Sequence, residues 1–283
     1  MFTFAVAAYL LYAIHAFDRL LNDAARFLTN PMFDIAAVDD IIYVLQYVAT
    51  MIAVICCLIE LIQVGAKVDN IRWETVLKVA IKLVLARLAI ENAPLLMSAM
   101  YQQSATWINQ IADTGTELSS ISPEMVDDIM TFSAQLSFWQ GLTTMLTIGP
   151  LALALRICGL IIYIIAFGRM FEILIHIGIS PIPIAFMPLG DGSGNGVSRI
   201  TTRFLRSFAA ACLQGVIIIA CINMFQSLVL TNINTIAENV RMQDVSAGEN
   251  LTQIAMLMLM GSVALIVAIT KSSTWAKTAL DAN

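Results

Sequence analysis

Charge is scarce in this chain: Asp, Glu, Lys and Arg make up 12% of its 283 residues, against 59% apolar ones. Soluble domains carry about a quarter charged residues, so a water-soluble globule is excluded. Histidine is rarer still, with two copies, His15 and His176. The sequence contains no His-Glu-x-x-His, no Gly-x-Ser-x-Gly and no pair of aspartates inside an apolar run. It therefore offers no catalytic set, and an intramembrane enzyme is the weakest reading. The five cysteines, Cys56, Cys57, Cys158, Cys212 and Cys221, all lie in apolar runs and none stands in a metal-type pair. They read as small buried hydrophobes. With none in the stretches expected outside the membrane, no disulfide framework is expected either. Lys and Arg are missing ahead of the first apolar run, Met1 to Ala16. A secretory signal has a basic start, so this segment is expected to stay in the mature protein. Neither metal nor cofactor is expected.

The few charges present are sorted into blocks. Residues 1–40, 112–128 and 231–250 hold thirteen of the twenty acids and only three bases, Arg19, Arg26 and Arg241. Residues 65–87, 169–206 and 271–283 hold eleven bases against five acids. Apolar segments separate the two sets. Lys- and Arg-rich loops stay in the cytoplasm, so each change of block predicts a crossing. The result is an all-α integral membrane protein of five transmembrane helices, N-terminus out and C-terminus in. It divides into an extracytoplasmic amphipathic helix in residues 1–40 and a five-helix membrane domain, 41–283.

The periodicity predicts the first helix over 2–28, with Asp18, Arg19, Asp23 and Arg26 on a polar stripe. Its long apolar face is expected to need cover from a neighbouring copy. Asn30-Pro31 breaks the chain. The spans are expected at about 41–64, 76–111, 149–168, 207–230 and 251–270, each near the 20 residues that a bilayer requires. The second carries Lys82, Arg87, Glu91 and Gln102 and is expected to face protein or water, not lipid. Ser122-Pro123-Glu124 predicts a helix start, and that helix is expected to kink at Gly149-Pro150. A break follows the third span, built from Pro181, Pro183 and Pro188 and a link through Gly190, Gly192, Gly194 and Gly196. The link lacks the Gly-Lys-Ser/Thr ending of a phosphate loop and reads as a flexible connection. A short separate basic helix is expected before the fourth span. Met256, Met258 and Met260 in the fifth span read as adaptable packing.

Two sets of charges are candidate functional groups. Arg199, Arg203 and Arg206, spaced by four and three, form one edge expected at the cytoplasmic face. That edge suits either anionic lipid or docking of a cytoplasmic ATPase or a passing nucleic-acid strand; no aromatics are interleaved for base stacking. Glu60, Glu91 and Arg156 are charges inside spans, which face partners or a polar cavity. Depth matching pairs Glu91 with Arg156 and sets Glu60 near Arg169 and His176.

The run Ile179-Ser-Pro-Ile-Pro-Ile-Ala-Phe-Met-Pro-Leu-Gly190, then Arg203-Phe-Leu-Arg-Ser-Phe208, then Ala211-Cys-Leu-Gln-Gly215 resembles the TrbL/VirB-six family. These are polytopic inner-membrane proteins of type IV secretion and conjugation machines. The resemblance is best over 149–230. The tryptophan often found in the family's short basic helix is missing here, so roles specific to it do not carry over. The resemblance implies a non-enzymatic channel or assembly component in the bacterial inner membrane, without a cofactor. It also implies a homo-oligomeric, pentameric ring at the base of a stalk or pilus. Its partners would be inner-membrane scaffold proteins, stalk or pilus-tip proteins and cytoplasmic ATPases, with DNA or protein passing through or near it. The alternative is a small-solute secondary transporter with a proline-broken helix, although no second broken segment occurs in a matching position.

Overall fold

The computed structural model describes residues 2–29, 36–67, 73–114, 130–131, 137–187, 198–242 and 247–280. Among them the chain is helical, without strands. The helices are α1 (Phe2–Thr29), α2 (Ala36–Lys67), α3 (Trp73–Thr114), α4 (Phe138–Ile179), α5 (Pro181–Ile184), α6 (Ser198–Met242) and α7 (Ala247–Ala279). The Ser122 helix start, the Asn30-Pro31 break, Pro188 and the Gly190–Gly196 link lie outside the described residues.

Among the described residues, four helices are long and apolar enough to cross a bilayer: Asp40–Gln63, Phe138–Ile179, Ile200–Leu228 and Thr252–Ala279. They match four of the five expected spans. The expected span at 76–111 does form a helix, α3, but its polar residues keep it out of this set.

One expectation about helix ends is corrected. No break separates the basic segment from the fourth span, because α6 runs without interruption from Ser198 to Met242. Helix α4 continues through Pro150 into the third span, as expected. Membrane helices tolerate an interior proline when nearby groups satisfy the freed carbonyl.

The chain forms two compact units, and α3, α4, α6 and α7 each contribute to both. The first comprises Met1–Asn30, Thr106–Gly168 and Gly215–Ser273. Its core is organised by α1, where Leu10, Ile14, Phe17, Leu21, Ala24 and Leu28 are all buried. Their spacings of three and four make one helical stripe. A Cβ placed on Gly159 of α4 would come within 2.9 Å of Phe17 Cδ2 and 3.0 Å of Leu20 Cδ1, so a glycine lets α1 approach. On α6, a Cβ at Gly215 would meet Ile108 Cδ1 of α3 at 3.2 Å. Phe17 packs edge-on to Phe225 at 6.0 Å, and Phe27 packs similarly on Tyr163 and Phe167 at 5.4 and 5.9 Å. Asn223 Nδ2 donates to the Ile111 carbonyl at 2.8 Å. From Leu10 to Leu28 the buried stripe of α1 is therefore covered by its own chain, while Tyr9 and Tyr12 stay exposed.

This seating yields a test. Gly159→Ala is expected to be the milder change, since Leu20 Cδ1 ends a flexible side chain and the Phe17 ring has to shift only slightly. Gly159→Leu is expected to push α1 away at about 1–3 kcal/mol, the usual cost of overpacking. Hydrogen exchange over residues 8–28 should then accelerate clearly more in the leucine variant than in the alanine one. Equal protection in both variants would show that α1 is not held at Gly159.

The second unit comprises Pro31–Ala105, Arg169–Gln214 and Thr274–Asn283. Its centre is a small-residue seam. Ala49 and Ala53 of α2, Ala86, Ile90 and Ala93 of α3, and Ile184 and Ala185 around α5 form one buried cluster. Small residues let backbones approach closely, which is how helices associate where lipid removes the hydrophobic drive. This seam holds the proline break in place.

Candidate functional site: the proline break and its charged surroundings

Pro181 has no N–H, and its ring would clash with the carbonyl four residues back. Helix α4 accordingly stops at Ile179. The carbonyl of Ile177, freed by this, accepts from Ser180 Oγ at 2.7 Å and from the Ser180 amide at 3.3 Å. Pro181 then opens the single turn α5, a position where a missing N–H costs nothing. The Ala185 amide donates to the carbonyls of Pro181 and Ile182, both at 3.1 Å, and the Met187 amide to that of Ile184 at 3.0 Å. Thr201 Oγ1, from the first turn of α6, donates to the Pro183 carbonyl at 2.6 Å. Ser180, Pro181, Pro183 and Ala185 are all buried. The break is thus a buried turn in which the carbonyls of Ile177, Pro181, Ile182, Pro183 and Ile184 are met by protein.

Beside it, the last turns of α4 carry Arg169, Glu172 and His176. Arg169 is 4% exposed, and its Nη1 donates to Glu172 Oε2 at 2.5 Å. Its Nε and Nη2 are buried without a partner among the described residues. Glu172 is half exposed. A carbonyl can only accept, so His176 Nδ1 carries the proton in its 2.8 Å bond to the Glu172 carbonyl. The His176 ring stacks on Phe204 of α6 at 5.6 Å and tilts over Phe208 at 6.2 Å. Tyr101 of α3 donates to the Met170 sulfur at 3.3 Å. An Arg–Glu–His edge of α4 is therefore locked between α3 and α6.

The expected pairings of the other charges are corrected. Glu60 pairs with Lys82, joining α2 to α3, and its Oε2 is buried without a partner among the described residues. Glu91 pairs with Arg87 on its own helix at 3.1 Å. Arg156 lies instead over the Tyr12 ring, 4.3 Å from its centroid. Its Nε and Nη2 are buried without a partner among the described residues. Such a cation–π contact partly substitutes for an ion pair. Sequence spacing could have found two of the pairs. Arg87 and Glu91 are four apart and Arg169 and Glu172 three apart, both intrahelical contact distances.

Of the basic edge, Arg203 and Arg206 are exposed on α6. Arg199 lies in the first turn of the same helix. On an exposed face of α2, Tyr43 and Tyr47 share a 2.6 Å bond between their hydroxyls. They stand one to two turns from Asp40, where a membrane's aromatic belt would fall. Among the described residues no group of His, Cys, Asp or Glu could hold a metal ion.

A family model described as TrbL/VirB6 plasmid conjugal transfer like protein matches residues 38–181, just over half of the chain. The chain belongs to this family. The match opens at the start of α2 and closes on Pro181, the first residue of α5. It therefore takes in α2, α3 and all of α4, whereas most of the 179–215 run noted in the sequence lies beyond it. No curated protein and no solved structure matches the chain. As a TrbL/VirB6-like protein with four helices able to cross a membrane, it is a multi-pass membrane component of conjugal transfer or type IV secretion.

Proposed function

We propose that this TrbL/VirB6-like chain works in the bacterial inner membrane as one of several copies surrounding the path of a transferred DNA or protein substrate, and that it helps to assemble the stalk or pilus above. The family match carries this reading, and the character of α3 supports it. Arg87, Glu91, Asn92, Gln103, Asn109 and Gln110 are exposed along this 42-residue helix. A helix so decorated is too polar to face lipid on all sides. Crossing beside α2 with its polar side towards other copies or water, it supplies the fifth span. The N-out, C-in orientation then follows from the sorted charges. The basic residues 199–206 are suited to contact with anionic partners. No catalytic role is proposed.

Two measurements test this reading. Deleting the gene from a donor strain is expected to lower transfer frequency by orders of magnitude, with recovery from a plasmid-borne copy. Native mass spectrometry of the detergent-extracted protein is expected to show a closed oligomer. Unchanged transfer after deletion would remove the secretion role, and a monomer would remove the ring.

A further inference from the structure

Within the first unit, α1 runs alongside α4 in the same direction and alongside α6 in the opposite one. Tyr12 meets Arg156, Phe17 and Leu20 meet Gly159, and Phe27 meets Tyr163 and Phe167. On α6 the order is reversed: Phe17 packs on Phe225, and Leu28 Cδ2 lies 4.0 Å from a Cβ placed on Gly215. A helix resting flat on a membrane surface would cross both neighbours at one level. This one follows them from Tyr12 to Leu28.

Both neighbours can cross a bilayer, and each gives α1 a depth. The middle of Phe138–Ile179 falls at Cys158 and Gly159, and that of Ile200–Leu228 at Gln214. At about 1.5 Å per residue, the contact at Gly159 puts Arg19 and Asp23 within about 9 Å of the middle. The contact at Gly215 puts them roughly 14 and 8 Å from it. A bilayer's apolar core reaches about 15 Å to either side of its middle. Asp23 therefore lies inside the core by either reckoning, and Arg19 inside it or at its edge.

The exposed face of α1 does not suit lipid at that depth. From Tyr12 to Arg26 its exposed residues are Tyr12, His15, Arg19, Asp23 and Arg26, one stripe at spacings of three and four without an aliphatic side chain. Over the matching stretch the exposed residues of α4 are the reverse: Leu153, Ile157, Leu160, Ile161, Ile164 and Phe167. Ionisable residues inside a membrane face the bundle interior or a water-filled cavity. The interior is taken by the buried stripe on the other side of α1. We propose that α1 is inserted into the bilayer from the side on which α4 begins, and that its Arg19–Asp23 face lines a water-filled space while the Ile157–Ile164 face of α4 meets lipid. The helix expected outside the membrane thus becomes a wall of an aqueous path. This goes beyond the proposed assembly: it needs α4 and α6 to cross the membrane, but neither a ring nor a transferred substrate.

Two measurements test it in proteoliposomes. Leu20 Cβ lies 3.5 Å from the Cβ position of Gly159, a separation at which two cysteines can join. The double variant Leu20→Cys/Gly159→Cys is expected to form that disulfide on mild oxidation, seen in mass spectra of the digest. Its absence would detach α1 from the span and end the proposal. The second measurement spares the packing, because Arg19→Cys, Asp23→Cys, Ile157→Cys and Ile164→Cys all change exposed positions. The unsubstituted protein is the blank for the native thiols, four of them buried. A membrane-impermeant cationic methanethiosulfonate should modify 19 and 23 at least tenfold faster than 157 and 164. Fluorophores at 157 and 164 should be quenched by lipids brominated deep in their chains, and those at 19 and 23 should not. Bromolipid quenching at 19 and 23 would put the face in lipid. Silence there towards both reagents would mean that protein covers it. Ready modification at 157 and 164 would take α4, and α1 with it, out of the membrane. Each of these three results overturns the proposal. A monomer, or unchanged transfer after deletion, with the expected labelling intact, would overturn only the proposed function.

Discussion

Ala185→Leu is expected to lower the thermal midpoint of the detergent-solubilised protein by roughly 3–10 °C, corresponding to an overpacking cost of about 1–3 kcal/mol. Ala185 has no exposed surface, and the cluster it joins is mostly alanine: Ala49, Ala53, Ala86 and Ala93. Three more carbons have nowhere to go without separating α2 from the break. Two internal controls give the test its force. Met187→Leu, two residues on, changes a 61% exposed side chain and should leave the midpoint where it was. Ala53→Leu, on the facing helix, should cost about as much as Ala185→Leu. Because both variants force the same gap open, the double variant should cost clearly less than the two singles added together. Full additivity, or an Ala185→Leu midpoint equal to that of Met187→Leu, would show that α2 and the break do not meet.

The second large effect is an asymmetry between the two halves of the Arg169–Glu172 pair. Removing one partner of a buried pair strands the other charge and costs about 3–5 kcal/mol, while replacing the ion pair by apolar groups of similar size is often neutral. Glu172 is half exposed and can find solvent when orphaned, whereas Arg169 is 4% exposed and cannot. Glu172→Gln is therefore expected to cost about 3 kcal/mol, the low end of that range. Arg169→Met, which fills the same space without a charge, is expected to cost less than about 1 kcal/mol. Adding Arg169→Met to Glu172→Gln should recover most of the lost midpoint, since the buried charge is then gone. If Glu172→Gln proves the milder single change, the buried guanidinium is neutralised by something other than Glu172.

Much of the fold is legible in the residues. The 3.6-residue rhythm of 2–28 foretells α1, and the bare apolar run from Ile41 foretells α2. Pro181 and Pro183 foretell the break, for a reason visible in one residue type: a missing N–H and a clash four residues back. What the sequence cannot say is what covers each face. The α1 stripe reads as needing a neighbour, yet α4 and α6 of the same chain meet it, because Gly159 and Gly215 let helices approach. Glycine spacing within apolar runs was the available sign. The charge pairs were misread for a related reason. Matching by depth supposed that Glu91 and Arg156 would seek each other across helices. A partner one helical turn away costs less chain ordering, and Arg87 supplies it. The Glu60–Lys82 contact depends on how α2 and α3 lie side by side, which no local spacing encodes. Helix α4 continues through Pro150 into the third span, as membrane helices can when nearby groups repair the lost bond.

The placement of α1 also bears on how the protein is made. Its buried stripe touches Phe225, about two hundred residues later in the sequence. Helix α1 therefore leaves the ribosome well before its partner on α6 and can be sealed only after the intervening chain has been synthesised and inserted. Until then its greasy side must be sheltered by the insertion machinery or by lipid. Contacts this remote in sequence make for slow closure, and that final docking is the step at which a crowded membrane could most readily divert the nascent molecule.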